Sequence, residues 1–480
     1  MNRYKMKTTL IFAGITECGF DSFGKTMEGS WISHGLCHLS ACAKEKGFDI
    51  NLIDLRKLKG WEHFREKIKE EKPDVVGLSM MSVDYDYVVK CARIIKEEMP
   101  DTKIIVGGPH PTILLDEVKE IKEFDHIIMK EAEISFVELL ERIKNREESE
   151  RIITGKMPDL NKLPFADREL FGQHEIPISD FLPEPFVTLI AGRGCIYNCS
   201  FCQPAERKIF GNKVRRRSVD NVISELKFLR NKYNFKSMMI HDDCLTEDKE
   251  WVKEFCRKYK EEGFIQPFVC QSRADIICKH EDMVKELKDA GLVTFLIGFE
   301  SGNQRILNFL RKGTKTEHNF RAAEICHKLG IKIWANYMLG IPTETKEEAM
   351  DTIDMIKEIK PYHCSPAFFT PHPGSDLYDY CVKNDLMIMQ KHSSYRRNIN
   401  IEEPKIKGID YVYLQKITYE SLDYSEEAEN RIKFTKKIKP LYIILGKRLF
   451  RLMLKAKDIL LKEGFKSFLF KTKEYIFTRI

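Results

Sequence analysis

No stretch of this 480-residue chain is apolar for long enough to span a bilayer, and no part of it is low in complexity. Glycine (26) and proline (18) are scarce for such a length, which excludes collagen-like repeats and bulk disorder. The opening "MNRYKMKTTLIFAG" puts basic residues before a short apolar run, but it has no small-residue cleavage site and breaks at Glu17 and Asp21. It reads as a first β-strand rather than a secretory signal. Without a signal, the fourteen cysteines do not form a disulfide framework; a reducing cytoplasm is expected, where clustered thiols bind metals or react and isolated ones pack as small hydrophobes. The net charge of +6 is small, yet Arg431 to Ile480 carries 15 Lys or Arg against three acids, so the basic character belongs to the tail.

What is present is the composition of a globular chain, 43% hydrophobic and 32% charged, at a length that predicts two or three domains. In residues 8 to 145 short apolar runs ("TLIFAG", "DINLID", "DVVGLS", "KIIVGG", "HIIM") alternate with helical periodicity over Trp31 to Lys46, Asp84 to Glu98 and Glu133 to Asn145. Buried strands interleaved with helices predict a parallel sheet covered on both faces, Rossmann-like, with ligands beyond the carboxyl ends of the strands. Residues 148–186, charged and then proline-punctuated, read as a connector.

A second series follows: "VTLIAG", "SMMIHDD", "PFVCQS", "VTFLIGFES", "IKIWANYMLG" and "SPAFFTP", with helices such as Val219 to Tyr233 and Glu317 to Leu329 between them. Six repeats predict a (β/α)6 partial barrel over 187–400, whose chemistry gathers at the strand carboxyl ends. Polar and Gly-rich residues stand at those ends: Asp242 and Asp243, Gln271 and Arg273, Glu300 and Ser301, and Gly340.

The loop after the first of these strands, "GRGCIYNCSFC", holds Cys195, Cys199 and Cys202. Thiolates suit iron–sulfur clusters and zinc. A structural zinc site wants four ligands, and the next cysteine and histidine, Cys244 and His241, lie on another strand end. Three ligands leave one metal position open.

This C-x3-C-x2-C spacing, with Phe201 before the last cysteine, resembles the signature of radical S-adenosylmethionine (SAM) enzymes. There three thiolates hold three irons of a 4Fe-4S cluster and SAM chelates the fourth. "VRRRSVDNVISELKFL", "IHDDCLTED", "AGLVTFLIGFESGNQRILNFLRKGTKTE", "LGIKIWANYMLGIPTET" and "PHPGSDLY" are similar to that family's successive segments in their usual order. The resemblance implies that Phe201, Asp242, Asp243, Arg273, Glu300 and Gly340 contact SAM. Likewise "PDVVGLS", "PDTKIIVGGPHPT" and "IIMKEAEISFVELL" resemble the cobalamin-binding domain found before many radical SAM barrels, which implies cobalamin contacts at Ser79, Gly107, Gly108, His110 and Glu131 over a domain of residues 1–147. The cobalt-ligating D-x-H-x-x-G motif is missing, so base-off binding is implied, with His110 flanking the cofactor; "KEAE" stands where relatives often read G-E-x-E.

What the resemblance implies chemically is reductive SAM cleavage to a 5′-deoxyadenosyl radical, fed by an external donor such as flavodoxin or ferredoxin, and methylation of an unactivated carbon through methylcobalamin. Cyclisation or ring rearrangement is the alternative outcome, and a non-catalytic cofactor sensor the alternative of another class. The tRNA methylthiotransferases need a second cysteine-bound cluster, but of Cys18, Cys37, Cys42 and Cys91, the middle two fall inside a predicted helix, and no RNA-binding barrel is evident; nucleic acid is not an expected partner. Residues 401–480 read as helical and basic. Within them "LYIILGKRLFRLMLKAKDILL" sets Leu441, Ile444, Leu445, Leu449, Leu452 and Met453 at helical spacing among Lys447, Arg448, Arg451 and Lys455. Such a helix packs on the barrel or lies on an anionic membrane surface, the latter pointing to a lipid rather than another small-molecule substrate.

Overall fold

The computed structural model describes residues 6–428 apart from 28, 173–174, 203–206 and 208. The helix expected within the basic tail falls outside the described residues.

Two six-stranded parallel sheets organise the chain. The first runs in the order β2-β1-β3-β4-β5-β6, with β1 Lys7–Phe12, β2 Asp49–Asp54, β3 Val75–Ser79, β4 Lys103–Gly107, β5 His126–Met129 and β6 Ile152–Thr154. Its apolar side chains bury on both faces, Ile11, Val76 and Val106 against Phe64 and Ile95 on one side, Leu10, Ile105 and Ile128 against Leu36, Phe136 and Leu140 on the other. That double burial is why β3 and β4 read as unbroken hydrophobic runs. Ser33 caps the first helix, His34–Glu45, which encloses Cys37 and Cys42; burial raises both thiols, Cys42 to about 12, so neither offers a ready thiolate. Sequence reading assigned Ile152–Thr154 to the connector; here it is the edge strand pairing with β5. Three residues between charged flanks give too short a period to register.

The second sheet has the order β14-β13-β12-β11-β10-β7, so strands neighbour one another in chain order: β7 Phe186–Leu189, β10 Ser237–Ile240, β11 Phe268–Ser272, β12 Leu292–Glu300, β13 Lys332–Leu339 and β14 His363–Phe368. Its end strands β7 and β14 do not pair with each other, so it is a partial barrel carrying its helices outside. Burial along β13 alternates strictly, Ile333, Ala335, Tyr337 and Leu339 under the helices, Lys332, Trp334, Asn336 and Met338 only half-buried on the concave side. The barrel therefore surrounds a lumen rather than a filled core. A small antiparallel ribbon, β8 Gly192–Arg193 with β9 Arg215–Arg216, brackets the cysteine loop. No helix among the described residues is long and apolar enough to cross a membrane.

Candidate active site between the two sheets

A cavity of about 550 Å³ lies where the carboxyl ends of both sheets face each other. Ser79, Gly107, Gly108 and Glu131 line it from the strand ends of the first sheet, Gly192 and Arg193 from the ribbon, Gly194 from the start of the cysteine loop and Asp243 from the loop after β10. Three histidines complete the wall: His34 and His38, one helical turn apart and not singled out in the sequence, and His241, weighed there only as a zinc ligand. His34 Nε2 lies 2.7 Å from Thr188 Oγ1, and His38 Nδ1 is buried without a hydrogen bond. Burial pulls all three imidazoles below their ordinary value, helped by Arg168 at His34 and Arg193 at His38, so they are neutral at pH 7. The i, i+4 histidine pair ahead of the second strand was the available signal.

Arg193 ties the ribbon to the segment after β5. Its Nη1 donates to Glu131 Oε1 at 2.5 Å and its Nη2 to Glu133 Oε1 at 2.6 Å, while Arg215 donates to the other oxygen of Glu131. Glu131 thus borders the cavity and is also the anchor of an interdomain clasp.

The cysteine loop begins where Gly194 holds φ at +99°; a Cβ there would sit 2.5 Å from Lys213 O, so the "GRGC" turn requires glycine. Cys195 is half-buried, Cys199 buried and Cys202 exposed. Arg273 places Nη1 3.9 Å from Cys199 Sγ, a fixed positive charge beside a sulfur that must be anionic to hold iron. The same guanidinium lies 3.6 Å over the Tyr197 ring and donates to Lys312 O at 2.6 Å. Lys312, also missed in the sequence, is buried and paired with Glu300 at 2.9 Å, with Phe201 at 6.0 Å. Burial pulls the Lys312 ammonium down, but Glu300 and Cys199 outweigh it and hold it above its ordinary value. The contacts link Cys199, Arg273, Lys312, Glu300 and Phe201 into one group at the ends of β11 and β12.

The adjacent aspartates separate. Asp243 faces the cavity, whereas Asp242 is buried behind it, accepting from Ala191 N at 2.7 Å and pairing with Arg216 at 3.3 Å. Burial pushes its carboxyl up to about 6 against the opposing pull of Arg216. Gly340, at the end of β13, donates its N–H to Glu344 and packs against Leu414. His110 is not among the lining residues of the cavity: it lies behind the Gly107–Gly108 floor, fully buried, its Nδ1 3.0 Å from Ser82 Oγ.

Three thiols on one loop beside a buried cation suit an iron–sulfur cluster, and a glycine-floored cavity at the strand ends of a Rossmann-like sheet has room for a bulky cofactor. The Radical SAM superfamily profile matches residues 189–356 and the B12 binding domain profile residues 23–140. The chain belongs to the cobalamin-dependent radical SAM enzymes. Membership assigns it a 4Fe-4S cluster, SAM and cobalamin. It is 29% identical over 379 residues, 75% of this chain and 81% of the relative, to an uncharacterized methyltransferase of Pyrococcus horikoshii. To the anaerobic magnesium-protoporphyrin IX monomethyl ester cyclase of Rubrivivax gelatinosus it is 25% identical over 384 residues, 75% of this chain and 68% of that one. Its fold is similar, with a TM-score of 0.59 at 16% identity, to the cobalamin-dependent radical enzyme OxsB solved with aqua-cobalamin and SAM; the match covers 82% of this chain and 57% of that one. This radical SAM enzyme is thus similar both to a methyltransferase and to a cyclase.

Proposed function

We propose that this radical SAM enzyme methylates an unactivated carbon of a small-molecule or lipid substrate, with Cys195, Cys199 and Cys202 as cluster ligands. When bound, the cluster and SAM supply a hydrogen-abstracting radical and cobalamin a transferable methyl group. The observation that carries the reading is a cavity bordered on one side by the strand ends of the first sheet and on the other by Gly192, Arg193 and Gly194, the residues that lead into the cysteine loop, which sets the two proposed cofactor sites side by side.

The chain's own part is placement and shielding. The clasp of Arg193 and Arg215 on Glu131 fixes the separation of the domains. His34, His38 and His241 are uncharged, and Arg193 pairs with Glu131 and Glu133 in the cavity wall, so little unpaired charge is left there to hold water. Arg273 and Lys312 hold positive charge where the cluster and the carboxylate of SAM would bring negative charge. Trp334, Asn336 and Met338 on the concave side of β13 offer a mainly apolar surface with one amide for the substrate. Exposed Cys202 marks the side from which a flavodoxin- or ferredoxin-type donor would reduce the cluster.

Similarity to the cyclase favours a second reading, the same radical step ending in ring closure without methyl transfer. Anaerobic turnover of reconstituted enzyme with methyl-labelled SAM and a small-molecule extract separates the two. Label in a new product together with 5′-deoxyadenosine is expected. Deoxyadenosine with an altered but unlabelled product would establish cyclisation, and no deoxyadenosine at all a cofactor sensor.

A further inference from the structure

We propose that His110, Glu117 and His392 form a binding site for one zinc-class divalent ion, which fastens the segment following the barrel to the B12-binding domain. The three come from separate elements: His110 from the helix Pro109–Ile113 behind the cavity floor, Glu117 from the helix Leu115–Val118, and His392 from the single turn His392–Tyr395 beyond β14. One ligand atom of each lies within 4.8 Å of the other two. His110 Nε2 is 3.4 Å from one oxygen of Glu117, and His392 Nε2 is 2.9 Å from the other. Ligands about 2.0 to 2.1 Å from a tetrahedral zinc stand roughly 3.3 Å apart, a spacing that these two separations bracket.

An independent observation comes from His110 itself. The residue is fully buried, and its Nε2 has no hydrogen bond of acceptable geometry although it is directed at a carboxylate. A buried nitrogen of this kind nearly always has a partner. A cation between imidazole and carboxylate supplies one, because it accepts the lone pair that the carboxylate cannot.

The outer contacts fit the same role. His110 Nδ1 is held by Ser82 Oγ at 3.0 Å, and His392 Nδ1 faces Asp86 Oδ1 at 3.7 Å, so each imidazole has an oxygen behind the ring nitrogen that points away from the site. Tyr85 stacks on His392 at 4.0 Å and contacts His110 at 5.0 Å, fixing both rings. Two imidazoles and one carboxylate select zinc or a neighbouring transition metal over magnesium or calcium, which take oxygen ligands. Glu117 and His392 remain 34% and 24% exposed, so water reaches the fourth position. The ion would stiffen the turn that carries Gly107 and Gly108, and with it the cavity floor.

The test uses the full chain with cluster and cobalamin loaded anaerobically, exposed to zinc, desalted and assayed for zinc, iron and cobalt, with X-ray absorption at the zinc edge. One zinc per chain with nitrogen and oxygen neighbours is expected. Glu117→Gln and His392→Ala should weaken zinc retention by at least about tenfold while iron and cobalt stay at wild-type levels. Zinc retained equally by both variants, zinc with sulfur neighbours in the wild type, or no zinc in the wild type would each overturn the proposal; the absorption measurement on wild-type protein decides it even if a variant fails to fold.

Discussion

Glu131, just past the end of β5, and Arg193, on the β8–β9 ribbon, stand 62 residues apart and meet in a 2.5 Å hydrogen bond that, with Arg215 on the second carboxylate oxygen, joins the two cofactor domains. Glu131 is 4% exposed in its side chain, so neither charge on it is well screened. Removing Arg193 leaves Glu131 with Arg215 alone and takes from Glu133, 6% exposed in its side chain, the ion pair it makes with Arg193, which costs about 3 kcal/mol.

Arg193→Ala is accordingly expected to lower the unfolding free energy by roughly 3 kcal/mol and to loosen the approach of the domains. Urea unfolding measures the first, and small-angle scattering of the native protein the second. A variant as stable and as compact as the wild type would mean that the clasp contributes nothing to docking.

On the proposed ligation, changing Cys195, Cys199 or Cys202 to Ala removes a cluster ligand on the barrel side only. SAM cleavage should fall below detection while cobalamin binding, read from its visible spectrum, changes little. Loss of cobalamin in all three variants would place the thiols in a structural role.

Lys312 and Glu300 form a buried pair at 2.9 Å beside Gly298, where an added Cβ would lie 2.2 Å from Glu300 Oε1. Lys312→Met strands a buried carboxylate and Glu300→Gln a buried ammonium, each at about 3 kcal/mol, whereas the double variant should cost less than their sum. Gly298→Ala must displace the same pair and should depress SAM cleavage with a smaller effect on stability. A double-mutant cycle by urea unfolding checks the coupling; additive losses would contradict it.

Burial pushes the Glu344 carboxyl up to about 7, although the N–H groups of Gly340 and Ile341 pull the other way. Its folded value lies above its unfolded one, so the folded state holds the proton longer. This group's stabilisation is complete below about pH 4.5 and is lost as pH rises through about 7, amounting to at most about 3 kcal/mol. Glu344→Gln should flatten that part of the stability profile and raise the melting temperature at pH 8. An unchanged slope between pH 5 and pH 7 would show that the carboxyl is solvated.

Strand and helix periodicity made both sheets legible. Glu133 to Asn145 and Val219 to Tyr233 coincide with observed helices because their apolar faces follow the helical repeat without interruption. The edge strand Ile152–Thr154 and the ribbon of Gly192–Arg193 with Arg215–Arg216 were not legible, since two or three residues carry no period. Ser79, Gly107 and Gly108 stand at strand ends, where alternation with helices already pointed; His34, His38 and Lys312 come from helices and loops that only folding brings to those ends.

The sequence by itself carried the resemblance that implied the cofactor class, because its motifs are local: Cys195, Cys199 and Cys202 share one loop, and the segments after them follow in order. It determined the sheet type for the same reason, each strand announcing its burial through its own residues. Tertiary structure alone decided which of two adjacent aspartates faces the cavity, that Glu131 is clasped by Arg193 and Arg215, and that His110 turns toward Glu117 and His392. Each depends on charge and burial supplied by segments distant in the chain, and desolvation, which sets the cost of leaving such groups unpaired, exists only once those segments have packed.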